Sequence, residues 1–260
     1  MGWWALAWFS IFLIGVTKSG FGSGVGLMIV PMMAIAMGHV PGRGSEAALG
    51  LMLPLLICGD LIAVYQYRHL FSLNIVKKLL PGTAVGVVIG GLMLWWFHQY
   101  GTIVGALIRI EIGIESILLV SLHWWRQWRG LQNHLMPEPA RSHATGVFTA
   151  ISSTMAHAAG PIIAMYLLPL QLERQLFVGT SAIYFFILNS AKLPAYAAAG
   201  QFQHASPLFA LQFLPLVIVG ALVGRWLIRR MSDKLFTRLV YIATFILGIY
   251  ILQDGVRRLL

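Results

Sequence analysis

Charge is scarce in this sequence. Only 10% of its 260 residues are Asp, Glu, Lys or Arg, against about 25% in a soluble domain, and that shortage excludes a surface bathed mainly in water. Acid is scarcer still, with 8 Asp and Glu against 18 Lys and Arg. In a soluble chain such an excess would suggest nucleic acid. In a chain that is 58% apolar it reads as basic cytoplasmic loops lying on anionic leaflets, and no nucleic-acid partner is expected. Cysteine is all but missing: Cys58 stands alone, which excludes an intramolecular disulfide and a cysteine-rich metal site. No metal and no cofactor is expected, and Cys58 is read as packing. The first apolar block, with Trp3, Trp4 and Trp8, lacks a basic start and a small-residue cleavage site, so it is not read as a signal peptide.

What the sequence has is apolar blocks of roughly 20 residues, each about the length needed to cross ~30 Å of hydrocarbon as a helix. Uninterrupted spans are predicted over residues 44–66, 75–97 and 102–124, and again over 174–199, 206–228 and 237–256. Each set of three is preceded by a broken segment. Residues 3–38 hold two apolar arms, of about 14 residues each, around the run Lys18 to Gly26; residues 143–170 repeat the plan around the run Ser152 to Pro161. The fold class is therefore all-α integral membrane protein, with eight apolar segments and up to ten helices when hairpin arms are counted separately.

The two sets are copies. Gly15 aligns with Gly146, Pro31 with Pro161, Gly50 with Gly179, Asp60 with Asn189 and Tyr67 with Tyr196, all at an offset of about 130 residues; Pro81, Gly86 and Gly90 then align with Pro215, Gly220 and Gly224 at about 134. Repetition of this kind is a signature of secondary transporters. The halves are read as 1–124 and 143–260, joined by a basic cytoplasmic linker at 125–142.

Basic residues mark the cytoplasmic side. The loops with Arg68, Lys77 and Lys78, with Arg126, Arg129 and Arg141, and with Arg225, Arg229, Arg230, Lys234 and Arg238 are inside; the connections near 98–101 and 200–206 carry no Lys or Arg and are outside. Between the inside linker and the outside connection at 200–206 lie one broken segment and one full span, so the broken segment must return to its starting side. It is predicted to be a helical hairpin, re-entrant or fully crossing, with its irregular tip buried in protein or lining a cavity. A hairpin and three spans per half makes the repeats inverted, with both termini outside. Arg257 and Arg258 pull against that placement of the C-terminus.

The breaks are the candidate binding elements. Gly20, Gly22, Gly24 and Gly26 alternate around Phe21, and such a run frees backbone N–H groups at a helix start, where an anion is favoured; tight helix packing through small residues is the competing reading. Lys18 lies at a depth where a cation normally faces a cavity or a partner: an anionic substrate, or an ion pair with Asp60, Glu111 or Glu115. The second break offers Ser152, Ser153, Thr154 and His157 as neutral donors and a titratable ring, although Ser and Thr in membrane helices commonly bond their own preceding turn. Gly160-Pro161 shapes the following arm. Asn189, Lys192 and Tyr196 share one helix face, and Asp60, matched to Asn189, makes a quasi-symmetric pair with it. Glu111 and Glu115, one turn apart, are candidates for proton coupling, or fixed charges neutralised by Arg109 or Lys192.

The run GVTKSGFGSGVGLMIVP at Gly15 to Pro31 resembles the first signature of the sulfite exporter TauE/SafE family, and GVFTAISSTMAHAAGPIIAMYLL with GTSAIYFFILNSAKLPAY resembles its second. The resemblance extends over about residues 10–250. It implies a multi-pass transporter of the inner cell membrane that exports sulfite, organosulfonates or related sulfur anions; family members often show a more glycine-rich second break than Ala158-Ala-Gly-Pro161. The sites suit an oxyanion, since Lys18, Lys192, hydroxyls and backbone N–H groups all donate. The partners expected are a small anion, the bilayer, a coupling proton or ion, and a second copy in a homo-oligomer. A membrane-embedded enzyme is the rival of a different class, without an HExxH or GxSxG motif to support it, so no catalytic residue is assigned. A passive anion channel is the nearer alternative.

Overall fold

A computed structural model describes residues 2–20, 26–39, 46–98, 104–130, 138–203, 206–227 and 233–260. The helices are α1 (Gly2–Gly20), α2 (Gly26–His39), α3 (Glu46–Gln66), α4 (Leu73–His98), α5 (Val104–Trp128), α6 (Ala140–Ala156), α7 (Gly160–Leu167), α8 (Arg174–Ala191), α9 (Leu193–Ala198), α10 (Pro207–Leu211), α11 (Leu214–Leu227) and α12 (Asp233–Leu259). The chain is an all-α integral membrane protein. Residues Ala47–Gln66, Leu73–Trp96 and Arg174–Ala198 are each long and apolar enough to cross a bilayer. Helices suit that solvent because they satisfy every backbone group within one segment. The outer surface fits lipid as well: Val88, Leu92 and Trp96 on α4, Leu118 and Trp125 on α5, and Leu222 and Trp226 on α11 are all exposed. So many exposed large apolar side chains would be a liability in water.

Both broken segments fold back on themselves. The ring of Trp3, at the start of α1, stacks on His39, at the end of α2, with centroids 4.1 Å apart. In the second half Tyr166, near the end of α7, donates to Glu138 Oε1 at 3.0 Å just ahead of α6, and Arg141 covers its ring. Each pair is thus an antiparallel hairpin. The arms are less equal than the apolar runs suggest: 19 and 14 residues in the first half, 17 and 8 in the second. Pro169 shortens the last arm, since it lacks an N–H and disfavours helical φ/ψ at Leu168; the chain continues there as a turn of 3₁₀ helix over Leu168–Leu170. Two spans predicted as uninterrupted are also interrupted. The span at 174–199 breaks at Lys192 and the one at 206–228 at Gln212-Phe213, because Pro194 and Pro215 have no N–H to carry the ladder back to residues 190 and 211.

Packing crosses between the halves. α1 runs along α11 in the same direction, so tightly that a methyl on Gly15 would overlap the carbonyl oxygen of Val217 and one on Gly220 that of Phe12. α6 runs along α4 likewise, Gly146 against Leu79 and Gly86 against Val147. These are the positions matched between the halves, and the glycines let backbones touch where a lipid-soluble helix pair has only packing to hold it. The matched helices α3 and α8 run antiparallel: Leu70 and Tyr67 lie at Gly179, and Asp60 lies at Asn189. α5 and α12 are antiparallel too, with Gly113 against Leu252 and Gly255 against Ile110.

Candidate functional site

Where α1, α3 and α8 meet, three polar side chains form a line. Lys18 occupies the last turn of α1, the end at which a cation is favoured. Its Nζ lies 2.6 Å from Asp60 Oδ1, and Asn189 Nδ2 donates to Asp60 Oδ2 at 2.6 Å. The ammonium also sits 4.5 Å from the centre of the Phe185 ring, a cation–π contact. Asp60 is wholly buried, whereas Lys18 keeps 13% of its side chain exposed. Of the partners the sequence left open for Lys18, the structure brings Asp60 to it. The matched pair Asp60 and Asn189 touch directly.

A second cluster lies at the end of α6. His157 there adopts a left-handed backbone, φ 52° and ψ 23°, a conformation that costs a non-glycine residue about 1–2 kcal/mol and stops the helix. Ser152 O and Ser153 O keep backbone donors, from Ala158 and His157, and the carbonyls beyond them need others. Lys192 Nζ adds a bond to Ser153 O at 2.9 Å, a second to Ser153 Oγ at 2.9 Å, and a third to His157 Nδ1 at 2.9 Å. An ammonium has three N–H groups, so this buried lysine is fully used, and its charge faces the negative end of the helix. With Nδ1 accepting, Nε2 carries the ring proton, which it directs at Leu49 O, 3.2 Å away, and at Tyr196 Oη, 3.3 Å away. Tyr196 in turn donates to Thr154 O at 2.7 Å.

The same bond occurs at the first cluster, where Tyr67 donates to Ser19 O at 3.1 Å. These two tyrosines are aligned in the repeat, and each closes the last turn of its half's first hairpin arm. The match between them in the repeat is the sequence signal for that role. Phe185 and the Leu49 carbonyl had no such signal.

The remaining predicted residues fall around these clusters. Thr154 spends its hydroxyl on Ala150 O, 2.7 Å away in its own helix, and Gly20 packs against Gly224. Gly160 opens α7. Ser152 is buried at the end of α6 beside Glu115, which reaches Glu111 on its other side. Arg109 is paired with Asp254, which Arg258 Nε also contacts at 3.1 Å. Phe21, Gly22 and Gly24 lie outside the described residues. Outside the membrane, partial burial works against ionisation of Glu138, yet hydrogen bonds from Ser142 and Tyr166 and the charges of Arg141 and Lys78 outweigh it and hold the carboxyl below its usual range.

A family model described as Sulfite exporter TauE/SafE matches residues 7–251. No curated protein and no solved structure matches the chain.

Proposed function

Starting from a chain that belongs to the sulfite exporter TauE/SafE family, we propose that it exports a small sulfur oxyanion, sulfite or an organosulfonate, across the inner cell membrane as a secondary transporter built from two inverted repeats. One observation carries the reading. Asp60 and Asn189, aligned between the halves, meet across antiparallel helices, with a buried or nearly buried lysine on either side. Matched residues touch where a pseudo-two-fold axis passes, and in inverted-repeat transporters the substrate sits at that interface.

Lys18 is the group that receives the anion in this state. One of its N–H bonds goes to a carboxylate, and an oxyanion offers it the same charge-assisted bond. Lys192 is occupied by three acceptors and sealed from solvent. Rocking one half against the other exchanges the two conditions: Lys18, with Asp60 back on it, is sealed from solvent, while Lys192 leaves Ser153 and His157 to hold the anion near the opposite face. Gly20 at the end of the first hairpin arm, and Ser152, Ser153, Thr154, His157 and Gly160 at the second break, line this path. Asp60, Glu111 and Glu115 are positioned to exchange a proton as lysines change partners.

Sulfite flux into proteoliposomes tests this. Lys18→Ala abolishes flux in protein that remains folded, while unaltered flux removes Lys18 from the pathway.

A further inference from the structure

A chamber of about 420 Å³ opens between the end of α3, the start of α8 and the end of α11. At ~30 Å³ per water it has room for a hydrated oxyanion. Its walls include Arg174, Arg225, Gln66, Gln175 and Tyr67. Two solvent-exposed arginines thus line one cavity from helices far apart in sequence, and the fork of an arginine matches an oxyanion in bidentate fashion.

The chamber adjoins the first cluster. Tyr67, in its wall, holds the carbonyl of Ser19, the residue after Lys18. Arg225 follows Gly224, whose backbone rests on Val16 in α1. Lys18 is also part exposed, whereas Asp60, Asn189, Lys192 and His157 are buried.

We propose that Arg174 and Arg225 form an anion-receiving vestibule on the basic, cytoplasmic side, which collects the sulfur oxyanion and passes it to Lys18. The proposal rests on the transport reading above, deepens it, and differs from the ordinary role of such arginines as anchors to lipid headgroups. A cleft lined by charge of one sign raises the local anion concentration by about 10-fold or more, so it sets apparent affinity rather than turnover.

The test uses full-length protein in proteoliposomes with labelled sulfite. In Arg174→Gln/Arg225→Gln the half-saturating concentration rises about 5- to 30-fold and its dependence on ionic strength flattens, while maximal flux holds. Lysine at both positions restores most of the affinity, and Arg68→Gln, on the same side but outside the chamber, leaves it unchanged. Calorimetry separates the vestibule from transport: Lys18→Ala still binds methanesulfonate weakly, and that binding disappears when both arginines become Gln. If the unmodified protein carries no sulfur anion but this binding persists, the transport reading fails and the vestibule stands. If flux is normal and the double variant keeps its affinity and salt dependence, or alters thermal stability alone, the arginines are headgroup anchors and the vestibule is refuted.

Discussion

Asp60→Asn separates competition from simple structural support at the first cluster. Asp60 holds Lys18 at 2.6 Å and accepts from Asn189 at 2.6 Å. The amide keeps the shape and can retain a bond to Asn189, but it withdraws the charge that the anion must displace. A hydrogen bond between charged groups is worth about 1.5–3 kcal/mol. Removing that competitor should therefore tighten anion binding by roughly 10- to 100-fold. The stability cost is smaller than the 3–5 kcal/mol typical of stripping one partner from a buried pair, because Lys18 is already part exposed and can turn towards solvent. Turnover should fall, since the anion is no longer expelled by a returning carboxylate. Calorimetric titration with methanesulfonate measures the affinity and sulfite efflux the turnover. Affinity equal to or weaker than that of the unmodified protein would refute the exchange of partners at Lys18.

Three further outcomes follow from the geometry. Gly15→Leu should prevent recovery of monodisperse protein, because the side chain meets backbone of α11, whereas Gly59→Ala should be tolerated, its nearest neighbours being side-chain atoms at 3.3 Å or more; size-exclusion profiles compare them. Tyr196→Phe should lower the apparent melting temperature more than Tyr67→Phe, since it leaves the buried Thr154 carbonyl unpaired at about 1–3 kcal/mol and Tyr67 is only half-buried. Glu138 has a depressed carboxyl pKa, so its support of the Arg141 and Tyr166 clasp is present above its unfolded value near 4.5 and is lost as pH falls through the lower folded value. Hydrogen exchange along α7 should rise at that acid pH in the unmodified protein and already at neutral pH in Glu138→Gln.

Much of this arrangement was legible in the chain itself. Loop charge implied that each broken segment returns to its starting side, and Trp3 on His39 and Tyr166 on Glu138 are the contacts of such hairpins. Alignment of the halves pairs Asp60 with Asn189, and the structure brings the two into contact. The alignment could not reveal that α1 packs on α11 and α6 on α4, because a repeat states which residues are equivalent and not which are neighbours. Nor could it separate Asp60 from the two glutamates as the partner of Lys18, since all three are acids at membrane depth. Arg225 reads in the sequence as one of the charges of an inner loop, and Arg174 carries no signal of its own, for a related reason: a cation beside an inner loop carries the same sequence signal whether it faces lipid headgroups or a chamber. The breaks at Lys192 and Gln212 were written in Pro194 and Pro215, whose missing N–H groups outweighed the apolar run around them.

Counterflow tests the central claim most directly. Proteoliposomes loaded with unlabelled sulfite should take up labelled sulfite faster than empty ones, because a carrier that alternates between Lys18 and Lys192 returns more quickly with substrate bound. Uptake that internal sulfite does not accelerate, or no sulfite movement at all, would contradict an alternating site between the two halves.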